Sequence, residues 1–186
     1  GRMQGLIRVA ARSVMTAWHA VQTQSPPPRP EDAPQAHGTG PDPDRILIIG
    51  NGPAVGWGVR SHELALPGQL ARELTRFTRR GVDVDLVLSP TNASVARLVM
   101  AVRPWRYDAV VVISGTDEAV RLVSPTAWRK TMSLLVEAFQ RDSSTSTQIV
   151  VGGLSPIRSI PIFDSVLGSI ADVHATMEKA AGVGNV

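Results

Sequence analysis

The chain has 186 residues, of which 43% are hydrophobic and 19% charged, a composition typical of a globular domain with an apolar core. It contains no cysteine, which excludes disulfides, thiol catalysis and cysteine-ligated zinc. The formal charge is +3 and the pI is about 10.2, with arginines spread along the chain. Because there is no basic cluster and aromatic residues are few, we expect no nucleic-acid partner. No apolar run is long enough to span a bilayer.

The first 22 residues have the pattern of an amphipathic helix. Apolar side chains recur at helical spacing at Ile7, Ala10, Val14, Ala17, Trp18 and Val21. Arg8 and Arg12 lie on the opposite face. We expect this helix to pack against its own domain, or to contact an anionic membrane surface with Trp18 as an anchor. Since the arginines interrupt the apolar stretch and no cleavage site follows, secretion is disfavoured, and we expect a cytoplasmic or peripheral membrane protein.

Residues 23–44 are rich in proline and glycine. The run from Pro26 to Pro30 predicts an extended polyproline II segment, and the prolines and glycines that follow predict neither helix nor sheet. We interpret 23–44 as a spacer, with a binding site for a proline-recognition partner as the alternative. The predicted organisation is therefore a helix at 1–22, a linker at 23–44 and a domain at 45–186.

Residues 45–186 alternate between strand-like and helical patterns. Strands are predicted at Ile46–Ile49, Val84–Leu88, Ala109–Ile113 and Ile149–Val151. Helices are predicted at about Pro67–Arg80, Ala93–Val102, Pro125–Arg141 and Phe163–Ala181. This alternation is typical of the α/β class, in which helices cover both faces of a parallel sheet in a three-layer α/β/α sandwich.

The first predicted strand ends in the glycine-rich turn Gly50-Asn51-Gly52-Pro53-Ala54-Val55-Gly56. A buried parallel strand delivers a functional loop to the carboxyl edge of a sheet in this way. One interpretation is a dinucleotide-binding turn, whose glycines should open directly into a helix. Residues 57–66 intervene here, and Ser89 follows the second strand where a ribose-binding carboxylate would stand. A nucleotide-binding domain is therefore a secondary alternative.

The same turn resembles the first block of the SGNH/GDSL hydrolases, Gly-Asp-Ser-x-x-x-Gly. Segments similar to the actinobacterial branch of that family follow in matching order: Gly56-Trp57-Gly58-Val59, Ser61-His62-Glu63, Pro67-Gly68-Gln69-Leu70-Ala71, Ser124-Pro125, Trp128-Arg129 and Gly153-Leu154-Ser155-Pro156. The resemblance implies a flavodoxin-like sheet with strand order 2-1-3-4. Since the chain stops at Val186, the family's fifth strand is expected to be missing, which would leave the fourth strand as an exposed edge where copies could associate.

Each catalytic element that the resemblance implies is altered in this chain. Gly52 stands in place of the serine nucleophile and Asn51 in place of the preceding aspartate. Asn92 replaces the glycine of the second block. Asp117 replaces the oxyanion-binding asparagine of the third block, and an ionised carboxylate accepts hydrogen bonds where a donor is needed. The Asp-x-x-His block that supplies the base is missing.

The other polar residues suggest no replacement site. Ser61, His62 and Glu63 are consecutive, so their side chains should diverge in an extended loop. Asp172 and His174 are two residues apart, and we interpret them as a pair on the protein surface. The four histidines form no ligand cluster, so we expect no metal and no cofactor. The candidate pocket consists of Asn51, Gly52, Asn92, Gly115, Asp117 and Glu118.

The sequence thus predicts a catalytically inactive SGNH-hydrolase-like domain that binds a small ligand or a protein partner, within a longer protein. Loss of the nucleophile alone costs a serine hydrolase about 10⁶-fold in rate. Loss of one oxyanion donor costs roughly 10²- to 10³-fold. An esterase or lipase that uses unconventional residues is the alternative.

Overall fold

The computed structural model describes residues 28–89, 94–114, 118 and 123–152. The chain divides into a larger compact unit, made of residues 27–114, 129–153 and 186, and a smaller one, made of 1–26, 115–128 and 154–185. The predicted helices at 1–22 and 163–181 lie outside the described residues. The division into 1–22, 23–44 and 45–186 stays a prediction.

Five strands form one mixed sheet in the order β1-β3-β2-β4-β5. They are β1 Gln35–Gly38, β2 Asp44–Gly50, β3 Val82–Leu88, β4 Ala109–Ile113 and β5 Gln148–Gly152. Strands β3, β2, β4 and β5 pair in parallel, whereas β1 is antiparallel to β3. The four parallel strands are the predicted ones, and their predicted order 2-1-3-4 is confirmed.

The pattern of burial explains why β2 is central. Every residue from Ile46 to Ile49 is at most 4% exposed, so both faces of the strand are covered. A continuous apolar run is typical of a parallel strand buried on both sides. In β3 the side chains alternate instead: Val82 and Val84 are buried, whereas Asp83 and Asp85 are half-buried.

Three helices lie among the described residues: α1 Leu66–Thr78, α2 Val95–Val102 and α3 Pro125–Asp142. Helix α1 packs Ala71 against a buried cluster from β1, β2 and β3. Pro67 lies in its first turn, where a missing N–H costs nothing, and the helix ends at Arg79 in a left-handed cap. Helix α3 buries Met132 and Phe139 almost completely. All three were predicted, and no end differs from its predicted position by more than two residues.

Part of the predicted linker belongs to the sheet. The expectation that 23–44 forms neither helix nor sheet is wrong for residues 35–38, which are β1. The prolines flank this strand rather than interrupt it, so its N–H groups remain available for pairing. Ala36 is completely buried, and the Pro34 carbonyl accepts a hydrogen bond from the Leu86 N–H at 2.8 Å. We call residues 28–38 the strap.

The predicted exposure of the fourth strand, β5, is not tested by these residues. Residues 153–186, which follow β5, lie outside the described part of the chain. Within the described part, no helix has the length and apolar character needed to cross a membrane.

Candidate functional site

The carboxyl ends of β2, β3 and β4 meet at one edge of the sheet. Gly50, the last residue of β2, lies in register with Leu88 and Ile113. The Ser89 N–H donates to the Gly50 carbonyl at 3.0 Å, and the Ser89 hydroxyl donates to the buried Ser114 hydroxyl, also at 3.0 Å. The predicted loop therefore lies where open α/β sheets bind their ligands.

The turn after β2 has a backbone that requires glycine. It continues into a short 3-10 turn, Gly52–Val55, in which the Ala54 N–H donates to the Asn51 carbonyl at 3.2 Å. Gly52 is buried and has φ +58°, in the left-handed region that other residues rarely adopt. A side chain at Gly50 would also not fit, because its Cβ would lie 2.7 Å from that of Ala54. A serine at position 52 would therefore be strained by the backbone found here.

Only part of the predicted pocket lies in the described chain. Asn51 is half-buried beside Gly52. Glu118 is half-buried, and its carbonyl accepts a hydrogen bond from the Val123 N–H at 2.9 Å. Asn92, Gly115 and Asp117 are outside the described residues. Convergence of these six residues on one pocket therefore stays a prediction.

A buried histidine forms an unpredicted pair with an aspartate of the strap. His62 is only 6% exposed. Its Nδ1 lies 2.7 Å from Asp32 Oδ1, and its backbone N–H lies 3.1 Å from both carboxylate oxygens. Because a carboxylate accepts, Nδ1 carries the hydrogen in this arrangement. The prediction of an extended loop at 61–63 is wrong, since the carbonyls of Ser61 and His62 accept turn hydrogen bonds from Leu64 and Ala65.

The electrostatics of this pair keep Asp32 ionised. Partial desolvation alone would raise the pKa of its carboxyl. The backbone and ring hydrogen bonds from His62 outweigh that effect and hold the pKa below its ordinary value. An aspartate that fixes Nδ1–H leaves Nε2 as the basic atom of a histidine. Within the described residues, however, no hydroxyl hydrogen-bonds Nε2, so the pair has no visible nucleophile to activate.

The side chain of Glu63 diverges from that of His62, as predicted. The Glu63 carboxylate accepts a hydrogen bond from the His37 backbone N–H at 3.3 Å and lies 3.6 Å from an Arg72 nitrogen. The His37 ring contacts Asp83 at 2.8 Å on the exposed surface. The Glu63 carboxylate thus has partners other than His62, whose Nδ1 is taken by Asp32, so Ser61, His62 and Glu63 do not form a triad.

The amino end of α1 is closed by the chain itself. The Gly68 N–H donates to the His62 carbonyl at 3.0 Å, and the Gln69 N–H donates to the Ala65 carbonyl at 3.1 Å. A side chain at Gly68 would overlap the Glu63 backbone. Because these contacts use backbone N–H groups at the amino end of α1, few remain to bind a phosphate. This disfavours the interpretation as a dinucleotide-binding turn. Across the described ranges, no cluster of three or more His, Asp or Glu could hold a metal ion.

Comparison with known proteins supports the fold at low sequence identity. No protein-family model matches the chain, and no curated protein matches it. Among solved structures it is similar to AlinE4, described as an SGNH-hydrolase family esterase, with 20% identity, a TM-score of 0.52 and coverage of 73% of this chain and 75% of AlinE4. It is also similar to TesA, with 15% identity, a TM-score of 0.49 and coverage of 77% and 83%.

A third similar structure is the esterase EstA from Pseudoalteromonas sp., with 14% identity, a TM-score of 0.47 and coverage of 74% of this chain and 73% of EstA. The match to AlinE4 carries the assignment, together with the strand order found here. The chain therefore has the α/β fold of the SGNH hydrolases. At this level of identity the comparison assigns the fold, and the site decides what the fold can do.

Proposed function

We propose that this chain is a non-catalytic SGNH-fold domain that binds a ligand or a partner. The observation that carries the proposal is Gly52. It stands at the nucleophile position, has no side chain and adopts φ +58°. Acyl transfer needs a hydroxyl at that position which a base can deprotonate. A buried glycine two residues after the central strand supplies the backbone of the loop without that chemistry.

The residues at the other positions that the family resemblance implies for the site indicate what such a site would accept. Asn51 and Asn92 offer amide donors and acceptors, and Asp117 would offer carboxylate acceptors. This set suits a polar neutral or cationic ligand better than an ester, because a carboxylate opposes the oxyanion that forms during ester hydrolysis.

A thermal-shift screen of polar neutral and cationic small molecules tests the binding role. We expect a subset of cationic compounds to raise the melting temperature of the intact chain. Asp117→Ala should abolish that stabilisation, whereas Glu137→Ala, a change at an exposed carboxylate of α3, should leave it unchanged. No stabilisation by any compound, or equal stabilisation of both variants, would reject a ligand role for Asp117.

A second candidate function is a weak hydrolase built on the Asp32–His62 pair. The observation in its favour is the 2.7 Å contact at Nδ1, the arrangement that orients a histidine as a general base. The test is hydrolysis of short-chain aryl esters by the intact chain. Turnover that disappears with His62→Ala and with Ser61→Ala would favour this function. Hydrolysis no faster than in buffer alone would favour the non-catalytic binding function.

A further inference from the structure

Each of the first three residues of the strap contacts the loop at 56–62. The Pro28 carbonyl accepts a hydrogen bond from the Gly58 N–H at 2.8 Å. The Arg29 guanidinium lies 5.1 Å from the centre of the Trp57 ring, within the range of a cation–π contact. The Pro30 ring packs on Gly56, where a Cβ would lie 2.7 Å from Pro30 Cγ. Two of these contacts depend on the side chain, namely the charge of Arg29 and the ring of Pro30.

The second half of the strap is held by charge and by strand pairing. Asp32 accepts hydrogen bonds from the backbone and the ring of His62. Residues 35–38 then add to β3 as an antiparallel strand, with His37 opposite Asp83. Extended polyproline segments docked on aromatic side chains, and strands added to a sheet edge, are two ways in which proteins recognise peptides in trans.

The strap is attached by directional contacts more than by deep burial. Most of its side chains are exposed, and Ala36 is the member buried in the core. Segments with few buried apolar contacts open locally at lower free energy than the core of a domain. Opening the strap would expose the edge of β3 and the loop at 56–62, and would leave β2 paired with β3 and β4.

The turn that joins the strap to the domain is short and strained. Residues 39–43 connect β1 to β2 and include Pro41 and Pro43. Asp42 has φ +47°, in the left-handed region, and is held there by Arg80 at 2.7 Å. Short hinge loops under strain favour exchange of the segment that they connect, because an open hinge relieves the strain.

We propose that the β3 edge and the loop at 56–62 form a peptide-docking surface, and that a second copy of the chain can supply the strap to it. The product is a strap-exchanged dimer. Exchange preserves every contact between strap and surface and changes only the hinge. The proposal concerns the larger compact unit alone and holds whether or not the chain has catalytic activity.

The absence of native cysteine allows a direct test by disulfide trapping. His37 and Asp83 are exposed register partners, so cysteines at these two positions would face each other across the strands. His37→Cys and Asp83→Cys chains, one of them isotopically labelled, are mixed at high concentration, warmed below the unfolding transition, cooled and oxidised. We expect a covalent heterodimer whose yield rises with protein concentration and falls when a synthetic peptide of residues 28–38 is added.

Two controls make the outcome decisive. His37→Cys mixed with Gln69→Cys, an exposed position on α1, should give several-fold less heterodimer. The double variant His37→Cys/Asp83→Cys, when dilute, should close an intramolecular disulfide, which confirms the geometry. Size-exclusion chromatography of the unmodified chain after the same treatment should show a dimer. Heterodimer no more abundant than in the control mixture, together with a monomeric unmodified chain, would overturn the proposal.

Discussion

The turn after β2 and the strap differ in what their residues touch. At the turn, Gly52 has a left-handed backbone and Gly50 is packed closely against Ala54, so the backbone alone fixes the sheet edge. In the strap, Arg29 and Asp32 make contacts through specific side chains. The difference shows that the turn is fixed by its backbone geometry, whereas the strap is fixed by charged side chains as well as by its backbone.

The substitution with the largest expected effect on stability tests whether the strap is an integral part of the fold. Ala36 is completely buried between α1 and β3. Ala36→Asp would place a carboxylate in the core without a partner and should lower the free energy of unfolding by about 3 kcal/mol or more. The measurement is urea unfolding. Gln35→Asp, at an exposed neighbouring position, is the control. If Ala36→Asp lowered the free energy of unfolding as little as Gln35→Asp, the strap would be only a spacer.

The next effect tests the backbone of the turn. Gly52→Ser should lower the free energy of unfolding by about 1–2 kcal/mol, because serine is strained at φ +58°. Gly52→Asn should cost less, since asparagine tolerates the left-handed region better. The serine variant should also remain inactive on aryl esters. Esterase activity restored by this single change would mean that the rest of the catalytic site is intact.

A smaller effect tests the contact between the strap and the loop. His62→Phe keeps the buried ring volume and removes the Nδ1–H donor to Asp32. The free energy of unfolding should fall, but by less than in Gly52→Ser, because Asp32 is exposed and water replaces part of the lost hydrogen bond. Ser61→Ala is the matched neighbour and should be close to neutral. Hydrogen exchange at the Leu86 amide, which bonds Pro34, should accelerate in the phenylalanine variant alone.

The smallest effect is a dependence on pH. The pKa of Asp32 is depressed in the folded chain, so its ionised form stabilises the fold above the ordinary aspartate pKa. That stabilisation is lost as the pH falls through the folded pKa. The melting temperature of the wild type should therefore exceed that of Asp32→Asn at pH 7, and the difference should shrink below about pH 4. A difference that widens on acidification would contradict this assignment.

The parallel sheet could be predicted because its signal is local. The run Ile46–Ile49 is apolar on both faces, and the alternation of strand and helix fixes the class of fold. The start of α1 could be located from Pro67. The resemblance to the SGNH hydrolases supplied the strand order, which local patterns alone do not determine.

Strand β1 and the Asp32–His62 pair could not be predicted for a physical reason. β1 has four residues with one buried side chain, Ala36, between proline-rich and glycine-rich flanks, so it lacks an apolar alternation. Asp32 and His62 are 30 residues apart, and their contact exists only because the strap folds back on the loop. No local pattern encodes such a contact.

The most direct test of the proposed non-catalytic role is labelling of the intact chain with a serine-reactive fluorophosphonate, read by intact mass. We predict an unchanged mass, because Gly52 has no hydroxyl to phosphonylate. A single adduct that forms in the wild type and is lost in Ser61→Ala or in His62→Ala would contradict this prediction and would identify the chain as a serine hydrolase with a relocated site.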